Sequence, residues 1–320
     1  MKVLVTGGAG YIGSHLVQHL TNLGIECFVI DNLSRGRIER LSSKINFEQI
    51  NLCESDKLSK YIKSHSFEAV FHLAGYMQAR ESMRKPDLYY QNNVQATRNL
   101  INSIASPEKT KVIFSSSCSV YGNNNLASED SSLNPLSNYA KTKSLSEIEL
   151  STAFKSFPKN LSIFRFFNVV GCSEIPLFCD IQSETILPAS ARRILQGDKP
   201  VILGGEFSTE DGFAVRDFID VRDLVKALGI PLSQNLSGVH NLSADQALSI
   251  KEVINLLLEI SDSKELGFEI GKPNTADPSI IRSVTSTRIN QLDWRPNFSI
   301  RESIENFWTI FKNYWLEVEK

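Results

Sequence analysis

The sequence lacks any apolar run close to the roughly 18 residues that a membrane-spanning helix needs. It also lacks an excess of either charge, because 34 Lys and Arg stand against 36 Asp and Glu, a formal net charge of −2 at pH 7. This balance gives no reason to expect nucleic acid or a membrane surface as a partner. Met1 leads directly into an apolar segment, so we expect no signal peptide.

Cysteine is scarce and odd in number, and the five cysteines include no Cys-x-x-Cys motif. This usage predicts reduced thiols in a cytoplasmic protein and argues against a disulfide framework. The five histidines show no metal-ligand spacing beyond His15 and His19, which are four residues apart. Since no third ligand accompanies that pair, we expect no metal site.

A glycine-rich turn follows the first apolar run, Val3–Val5. Gly7 would permit the tight turn, Gly10 would let the backbone approach a pyrophosphate, and Gly13 would allow close helix packing. The N-terminus of the following helix offers N–H groups and a positive dipole end to phosphates. The order of strand, glycine turn and helix therefore predicts a dinucleotide-binding unit, although an ordinary α/β protein can also contain such a turn.

The second apolar run ends in an acid, Asp31. Its carboxylate would accept hydrogen bonds from the adenosine ribose hydroxyls and would repel a 2′-phosphate. This favours NAD over NADP as cofactor, but Arg35 and Arg37 keep NADP open.

Strand and helix patterns alternate up to about residue 167 and predict an α/β fold with a doubly wound parallel sheet of the Rossmann type. Shorter, irregular elements follow and predict a smaller C-terminal α/β lobe. We expect a dinucleotide-binding domain over 1–167 plus about 213–241. A substrate-binding lobe would then comprise 168–212 plus 242–320.

Several local features are predicted along the chain. Pro86 opens one long helix to about residue 105, and Pro231 terminates a helix that Asp220 caps. Ser249 and Ser299 begin two later helices as N-caps. A strand over 213–221 carries Arg216 and Asp217 as exposed residues.

A second informative motif joins a serine-ended strand, Ser115 to Ser117, to Tyr139 and Lys143. Tyr139 and Lys143 are four residues apart and project from one helix face. The ordinary pKa of tyrosine is about 10, too high for a base at neutral pH, and a neighbouring ammonium would lower it. Ser117 would hydrogen-bond the same reacting oxygen. The motif predicts proton abstraction from an alcohol that gives up hydride, while the alternative is a surface Tyr–Lys pair.

Together these motifs resemble the NAD-dependent epimerase/dehydratase family of extended short-chain dehydrogenase/reductases, and within it the nucleotide-sugar 4-epimerases. The resemblance spans about residues 1–225. It is carried by the glycine turn, by Asp31–Leu33, by the Tyr139–Lys143 motif and by the runs His72–Gly75, Asn92–Val94, Phe114–Gly122, Arg165–Gly171 and Asp211–Ile219.

The resemblance implies a role for each matching residue. Ser117, Tyr139 and Lys143 would be catalytic, and Ser117, Asn168 and Arg216 would bind the substrate. The residues implied to line the NAD site are Gly7, Gly10, Tyr11, Ile12, Gly13, Asp31, Asn32, Asn51, Leu52, Leu73, Ala74, Gly75, Asn92, Ser115, Tyr139 and Lys143.

The resemblance also implies an isomerase that inverts C4 of a nucleotide sugar (UDP-glucose and UDP-galactose or their N-acetyl equivalents) through a transient 4-keto sugar, and a homodimer. Cys118 and Ser119 stand where the related 4,6-dehydratases carry an acid, which disfavours dehydration. A decarboxylase, a ketoreductase and a non-catalytic NAD-binding regulator are the other interpretations of the motifs. Leu203 and Ile281 depart from the family pattern, which leaves the base and the sugar open.

Overall fold

The computed structural model describes residues 1–173, 175, 178–179, 181–273, 278–284, 289, 292 and 294–318. Among these, the strands are β1 (Lys2–Thr6), β2 (Glu26–Asp31), β3 (Asn46–Gln49), β4 (Ala69–His72), β5 (Lys111–Ser117), β6 (Asn124–Ala127), β7 (Leu161–Phe166), β8 (Asn168–Val170), β9 (Val201–Leu203), β10 (Val215–Asp220), β11 (Gly238–Leu242), β12 (Gln246–Ser249), β13 (Glu269–Gly271) and β14 (Ile280–Ser283).

The helices are α1 (Tyr11–Asn22), α2 (Ser55–Lys63), α3 (Ala79–Arg84), α4 (Pro86–Tyr89), α5 (Ala96–Ser103), α6 (Asn138–Ala153), α7 (Ile186–Leu195), α8 (Val221–Ser233), α9 (Ile250–Ile260) and α10 (Ile300–Val318). A π-helical stretch covers Tyr90–Gln95, and short 3₁₀ helices cover Ile38–Arg40, Cys118–Tyr121, Pro158–Asn160 and Lys264–Leu266. Among the described residues, none of these helices has both the length and the apolar character that a membrane crossing requires.

The chain divides into two units, of which the first comprises residues 1–120, 132–166 and 225–241. Its sheet has the strand order β11-β7-β5-β4-β1-β2-β3. The pairs β1–β2, β1–β4, β2–β3, β4–β5 and β5–β7 are all parallel. The order reverses at β1, and open α/β sheets bind ligands at the carboxyl ends of the strands at such a point.

On one face of the sheet, the core of the first unit lies between the strands and three helices. Apolar side chains of α2, α5 and α6 pack against alternate residues of the strands, which leaves Val3 and Val5 to the opposite face of β1. The members of this core are Leu4, Phe28, Ile30, Ile50, Leu52, Leu58, Ile62, Phe67, Val70, Ala96, Leu100, Val112, Phe114, Leu150, Phe154, Leu161 and Ile163.

The second unit comprises residues 121–131, 167–224 and 242–320. Its mixed sheet has the order β12-β10-β14-β6, with β8 also beside β10, and β9 pairs separately with β13. Only the β10–β12 pair among these is antiparallel. Helices α7, α9 and α10 supply a core of its own, which includes Leu187, Ala191, Val253, Leu257, Phe307 and Phe311. The predicted α/β class, with a doubly wound parallel sheet and a smaller irregular C-terminal lobe, is confirmed.

The predicted helix caps are confirmed by hydrogen bonds. The side chains of Ser249 and Ser299 each accept from the backbone N–H three residues later, and the Glu there bonds back to the serine N–H. The Asp220 carboxylate accepts from the N–H of Arg222 at 2.8 Å.

One predicted helix is irregular, and one predicted helix end is wrong. The predicted helix start at Pro86 is confirmed. The helix expected from Pro86 to about residue 105 is interrupted by the π-helical stretch, because local periodicity cannot distinguish one wide turn from regular α-helix. Helix α8 continues past Pro231 to Ser233. The proline removes only its own N–H donor from the helix, and Gln234 N still donates to Ile230 O at 2.9 Å.

Candidate active site

The turn after β1 requires glycine for two separate reasons. Gly7 has φ +71°, a left-handed conformation, and a Cβ on it would lie 2.7 Å from the N atom of Ala74. A Cβ on Gly13 would lie 2.1 Å from Gly7 O, so only glycine lets the first turn of α1 approach the loop this closely. Both observations agree with the roles predicted for these residues.

The N-cap residue of α1 makes no side-chain hydrogen bond to the helix start. Helix α1 begins at Tyr11, and its N-cap residue, Gly10, has no side chain to accept from the first-turn N–H groups. The first turn also contains no acidic residue. These features fit a phosphate-binding helix start, because an anion could bind there without competition from a carboxylate.

Asp31 lies buried at the carboxyl end of β2. One carboxylate oxygen accepts from the N–H of Leu33 at 2.8 Å and the other accepts from the N–H of Ala9 at 3.1 Å. Burial raises the pKa of Asp31, and these backbone bonds oppose the rise. The backbone thus fixes the carboxylate beside the glycine turn and leaves lone pairs for ribose hydroxyls.

Of the two arginines that kept NADP open, Arg35 has an acidic partner for its guanidinium, and Arg37 is held through its backbone. Arg35 donates to Glu81 at 2.6 Å, and its guanidinium carbon lies 5.1 Å from the centroid of the Tyr76 ring. The backbone N–H of Arg37 donates to Ala9 O at 3.0 Å. The charge of Arg35 is therefore already paired on this side of the site.

A cavity at the ends of β2 and β3 brings two predicted adenosine-site residues together. Its lining consists of Asn32, Ser34, Glu48, Gln49, Asn51, Glu54 and Lys57. Leu52, which was predicted with them, packs its side chain into the core, and its carbonyl accepts from Asn99 at 2.9 Å. Any contact of Leu52 with a cofactor would involve its backbone.

The segment after β4 is held by Asn93, which the sequence analysis missed. Asn93 accepts from the N–H of Tyr76 at 2.8 Å and donates to its carbonyl at 3.0 Å. The same amide donates to Thr142 at 2.9 Å, one turn from Tyr139 on α6. Asn93 lies in the π-helical stretch beside the predicted Asn92, and nothing in the sequence distinguishes the two neighbours.

His72 is a second missed residue, fully buried at the end of β4. The hydroxyl of Thr97 donates to Asn93 O at 2.6 Å, so its oxygen accepts from Nε2 of His72 at 2.9 Å. Nδ1 then accepts from Thr6 at 2.8 Å. Burial lowers the pKa of His72 to about 3, and the Lys143 ammonium contributes to the lowering. His72 is therefore a neutral side chain, and its two hydrogen bonds fix the end of β4 just before the segment Leu73–Gly75.

The predicted catalytic side chains meet at the end of β5. Lys143 is buried and donates from Nζ to the carbonyl of Ser115 at 2.7 Å. Gly75 lies close by, since a Cβ on it would be 3.4 Å from Nζ of Lys143. The Ser117 hydroxyl hydrogen-bonds the Tyr139 side chain, and Ser119 donates to the Ser117 oxygen at 2.9 Å. The structure thus brings together the triad that the sequence predicted.

The charges of this triad differ from the simplest expectation. Burial raises the pKa of Tyr139 to about 12, and its hydrogen bond with Ser117 opposes the rise. Burial lowers the pKa of Lys143 to about 8, and the Glu147 carboxylate opposes that lowering. Burial therefore opposes the tyrosinate form of Tyr139, and a positive charge beside its oxygen would favour that form.

The two predicted substrate residues of the second unit lie on neighbouring strands. Asn168 in β8 is in register with Phe218 of β10, the strand that also holds Arg216. The prediction that Arg216 and Asp217 are exposed is wrong, because both are buried and β10 is an interior strand between β12 and β14. Arg216 donates to the carbonyls of Val215 at 2.8 Å and Pro278 at 2.6 Å.

The glycine turn, the buried acid and the Ser–Tyr–Lys group define a nucleotide-dependent dehydrogenase-like site on a doubly wound sheet. A family model described as "NAD dependent epimerase/dehydratase family" matches residues 3–243. The chain belongs to this family, and the family predicted from the sequence is confirmed.

Individual relatives cover nearly the whole chain. UDP-glucose 4-epimerase from Lactobacillus helveticus is 32% identical over 98% of this chain and 98% of its own. The crystal structure of Thermus thermophilus UDP-glucose 4-epimerase in complex with NAD is 26% identical with a TM-score of 0.86, and it covers 98% of this chain and 99% of that one. UDP-N-acetylglucosamine 4-epimerase from Methanobrevibacter ruminantium M1, in complex with UDP-N-acetylmuramic acid, is 28% identical with a TM-score of 0.85 and 98% of both chains covered.

Proposed function

We propose that this protein is an NAD-dependent nucleotide-sugar 4-epimerase that acts on UDP-glucose and UDP-galactose or on their N-acetyl equivalents. The observation that carries the proposal is the convergence of Ser117, Tyr139 and Lys143 at the same sheet edge as the glycine turn. Relatives that cover nearly the whole chain are named for this reaction, which supports the same conclusion.

The residues present fit NAD. Gly10, the N-cap residue of α1, has no side chain to cover the helix start, and the first turn has no acidic residue, so a pyrophosphate could bind there. Asp31 would hold the adenosine ribose, with Asn32 and Asn51 in the neighbouring cavity. At the other end of the site Lys143 would bond the nicotinamide ribose, as the resemblance implies.

NAD, when bound, would supply the acceptor that takes the C4 hydride and later gives it back, and a positive charge that favours the tyrosinate. Tyr139 removes the proton of the C4 hydroxyl, and Ser117 hydrogen-bonds the same oxygen. Lys143, held on Ser115 O, adds its charge to favour the tyrosinate. After the 4-keto sugar turns over, Tyr139 returns the proton, and the C4 configuration is inverted.

The other interpretations have less support. Ser117 is followed by Cys118, which is buried, and by Ser119, which bonds Ser117, so an acid for eliminating water is missing from these positions. A non-catalytic regulator would not need a buried Lys143 beside an intact pair of Ser117 and Tyr139.

We propose that the nucleotide sugar binds to the second unit through Asn168 and Arg216. The Arg216 guanidinium has a fork that matches phosphate oxygens, although in this structure it also donates to backbone carbonyls. Asn168 and Arg216 both belong to the unit that comprises residues 121–131, 167–224 and 242–320. The division into a dinucleotide-binding domain (1–167 plus about 213–241) and a substrate lobe (168–212 plus 242–320) stays a prediction.

The proposal is tested by incubating the purified protein with UDP-, dTDP-, GDP- and CDP-sugars and determining C4 stereochemistry by NMR. We expect C4 inversion of at least one UDP-sugar with no build-up of NADH. Tyr139→Phe keeps the ring and removes the proton acceptor, so it should lower turnover by about 10²-fold or more. Steady NADH accumulation, or equal turnover by Tyr139→Phe, would contradict the proposal.

We also propose a cytoplasmic homodimer. All five cysteines are free, which suits a reducing compartment. On the first unit Tyr90, Leu145 and Ile148 expose 40%, 41% and 57% of their surfaces, and a second copy packing on α6 would cover them. Light scattering after gel filtration should give twice the chain mass, and Ile148→Glu should lower it. A monomer at all concentrations would contradict the dimer.

A further inference from the structure

Three side chains on one face of α6 each contact one serine of β5. Tyr139, Lys143 and Glu147 are spaced by four residues, and they contact Ser117, the carbonyl of Ser115 and the hydroxyl of Ser116. Tyr139 and Lys143 therefore make two of these three contacts between α6 and β5, and Glu147 makes the third.

Glu147 also contacts a second strand, β7. Arg165 of β7 donates from Nε and Nη2 to the two Glu147 oxygens, at 3.0 Å and 2.7 Å. Arg165 pairs in register with Ser116 across β5 and β7, and both sit under the same carboxylate. The side chains of Arg165 and Glu147 are only 5% and 7% exposed, so the pair is shielded from water and salt. A bidentate pair of this kind fixes direction as well as distance.

We propose that Glu147 is a positioning residue for the reaction, which holds α6 in register with β5 and keeps the Lys143 side chain charged at its place on Ser115. This inference rests on the proposed function, because it assigns a role relative to Tyr139 and Lys143. Glu147 lies outside the residues that carry the family resemblance.

The electrostatics around Lys143 point the same way. Among the described residues, the titratable and charged groups facing it are His72 from β4 and Tyr139 and Glu147 from α6, with Arg165 from β7 behind Glu147. His72 is neutral, and Tyr139 is protonated before reaction. Glu147 is thus the anion that opposes the burial effect on the pKa of Lys143. Its loss would let Lys143 release its proton at a lower pH.

The test compares Glu147→Gln with Ser116→Ala as a matched control. Glu147→Gln keeps the size of the side chain and removes its charge, whereas Ser116→Ala removes one neutral bond to the same carboxylate. We expect the alkaline limb of the kcat–pH profile to move down by about one pH unit in Glu147→Gln, a tenfold loss on that limb, with KM within about twofold. Ser116→Ala should leave the limb in place.

A second readout does not depend on activity. The ¹³Cε chemical shift of Lys143, followed through pH by NMR, should show its midpoint displaced by the same amount in Glu147→Gln and unmoved in Ser116→Ala. Because Glu147→Gln leaves a buried arginine without its anion and can fail to fold, Glu147→Gln/Arg165→Met provides a variant without that charge. It too should show a lower midpoint than the wild type.

The outcomes separate the two proposals. Wild-type protein that inverts no nucleotide sugar would contradict the proposed function. Wild-type protein that is active, with a Lys143 midpoint and alkaline limb unchanged in Glu147→Gln and in the double variant, would overturn the role of Glu147. A fall in thermal stability alone, with an unmoved limb, would also overturn it, since it would show only a structural ion pair.

Discussion

Nζ of Lys143 donates to the carbonyl oxygen of Ser115 at 2.7 Å, which fixes the ammonium at the end of β5 one helical turn from Tyr139. The lysine two residues earlier, Lys141, is exposed on another face of α6. The same helix therefore offers the lysine that we propose acts in the reaction and a matched control.

Lys143→Met should lower turnover by about 10²-fold or more, because the charge that favours the tyrosinate is removed. Lys141→Met should remain within about twofold of the wild type. The measurement is the initial rate of C4 inversion at saturating substrate for the three proteins. Equal losses in the two variants would show that position on the helix does not matter and would contradict the assignment.

Gly13→Ala should weaken NAD binding and destabilise the fold by about 1–3 kcal/mol, because its Cβ would lie 2.1 Å from Gly7 O. Gly229→Ala is the control, since a Cβ in that helix meets its nearest neighbour, His19, at an ordinary 3.7 Å. We expect Gly229→Ala to be neutral or stabilising by roughly 0.5–1 kcal/mol. Urea unfolding and titration with NADH check both. A Gly13→Ala protein with wild-type affinity and stability would contradict the close approach.

Wild-type protein should bind NAD at least about tenfold more tightly than NADP, because the Asp31 carboxylate opposes a 2′-phosphate. Asp31→Asn should reduce this ratio. Glu48→Gln removes a negative charge from the neighbouring cavity and should leave the ratio close to the wild-type value. The measurement is the ratio of the dissociation constants for NADP and NAD, obtained by fluorescence for the wild type and for both variants. An unchanged ratio in Asp31→Asn would assign the selectivity to other residues.

His72 should make the free energy of unfolding depend on pH. Its pKa is about 3 in the fold, below the ordinary value of 6.5, so the unfolded chain binds this proton first as pH falls. The contribution of neutral His72 is fully present above about pH 6.5 and is lost progressively from there towards about pH 3. His72→Gln keeps a donor and an acceptor but does not titrate. The free energy of unfolding of His72→Gln should fall less steeply than that of the wild type as the pH decreases. Parallel curves for the two proteins would contradict a neutral, buried His72.

The sequence predicted the parts of the site whose causes are local. The glycine spacing, Asp31 and the Tyr139–Lys143 repeat depend on one turn, one strand end and one helix face, so they can be read along the chain. His72, Asn93 and the Glu147–Arg165 pair have partners at least 17 residues away, which only the strand order brings together.

The burial of Arg216 is another feature that could not be predicted from the local sequence. Two adjacent charged residues on a short strand resemble a solvent-exposed edge. The strand is in fact central to the mixed sheet, between β12 and β14. Burial therefore depended on pairing partners located elsewhere in the sequence.

The most direct test of the account uses UDP-glucose carrying deuterium at C4, converted by the purified protein in ordinary water. If the hydride leaves C4 to bound NAD and returns to the same carbon, the C4-inverted product should retain the deuterium at C4, as read by NMR and mass spectrometry. Inverted product with hydrogen from water at C4, or no inversion of any nucleotide sugar, would contradict the account.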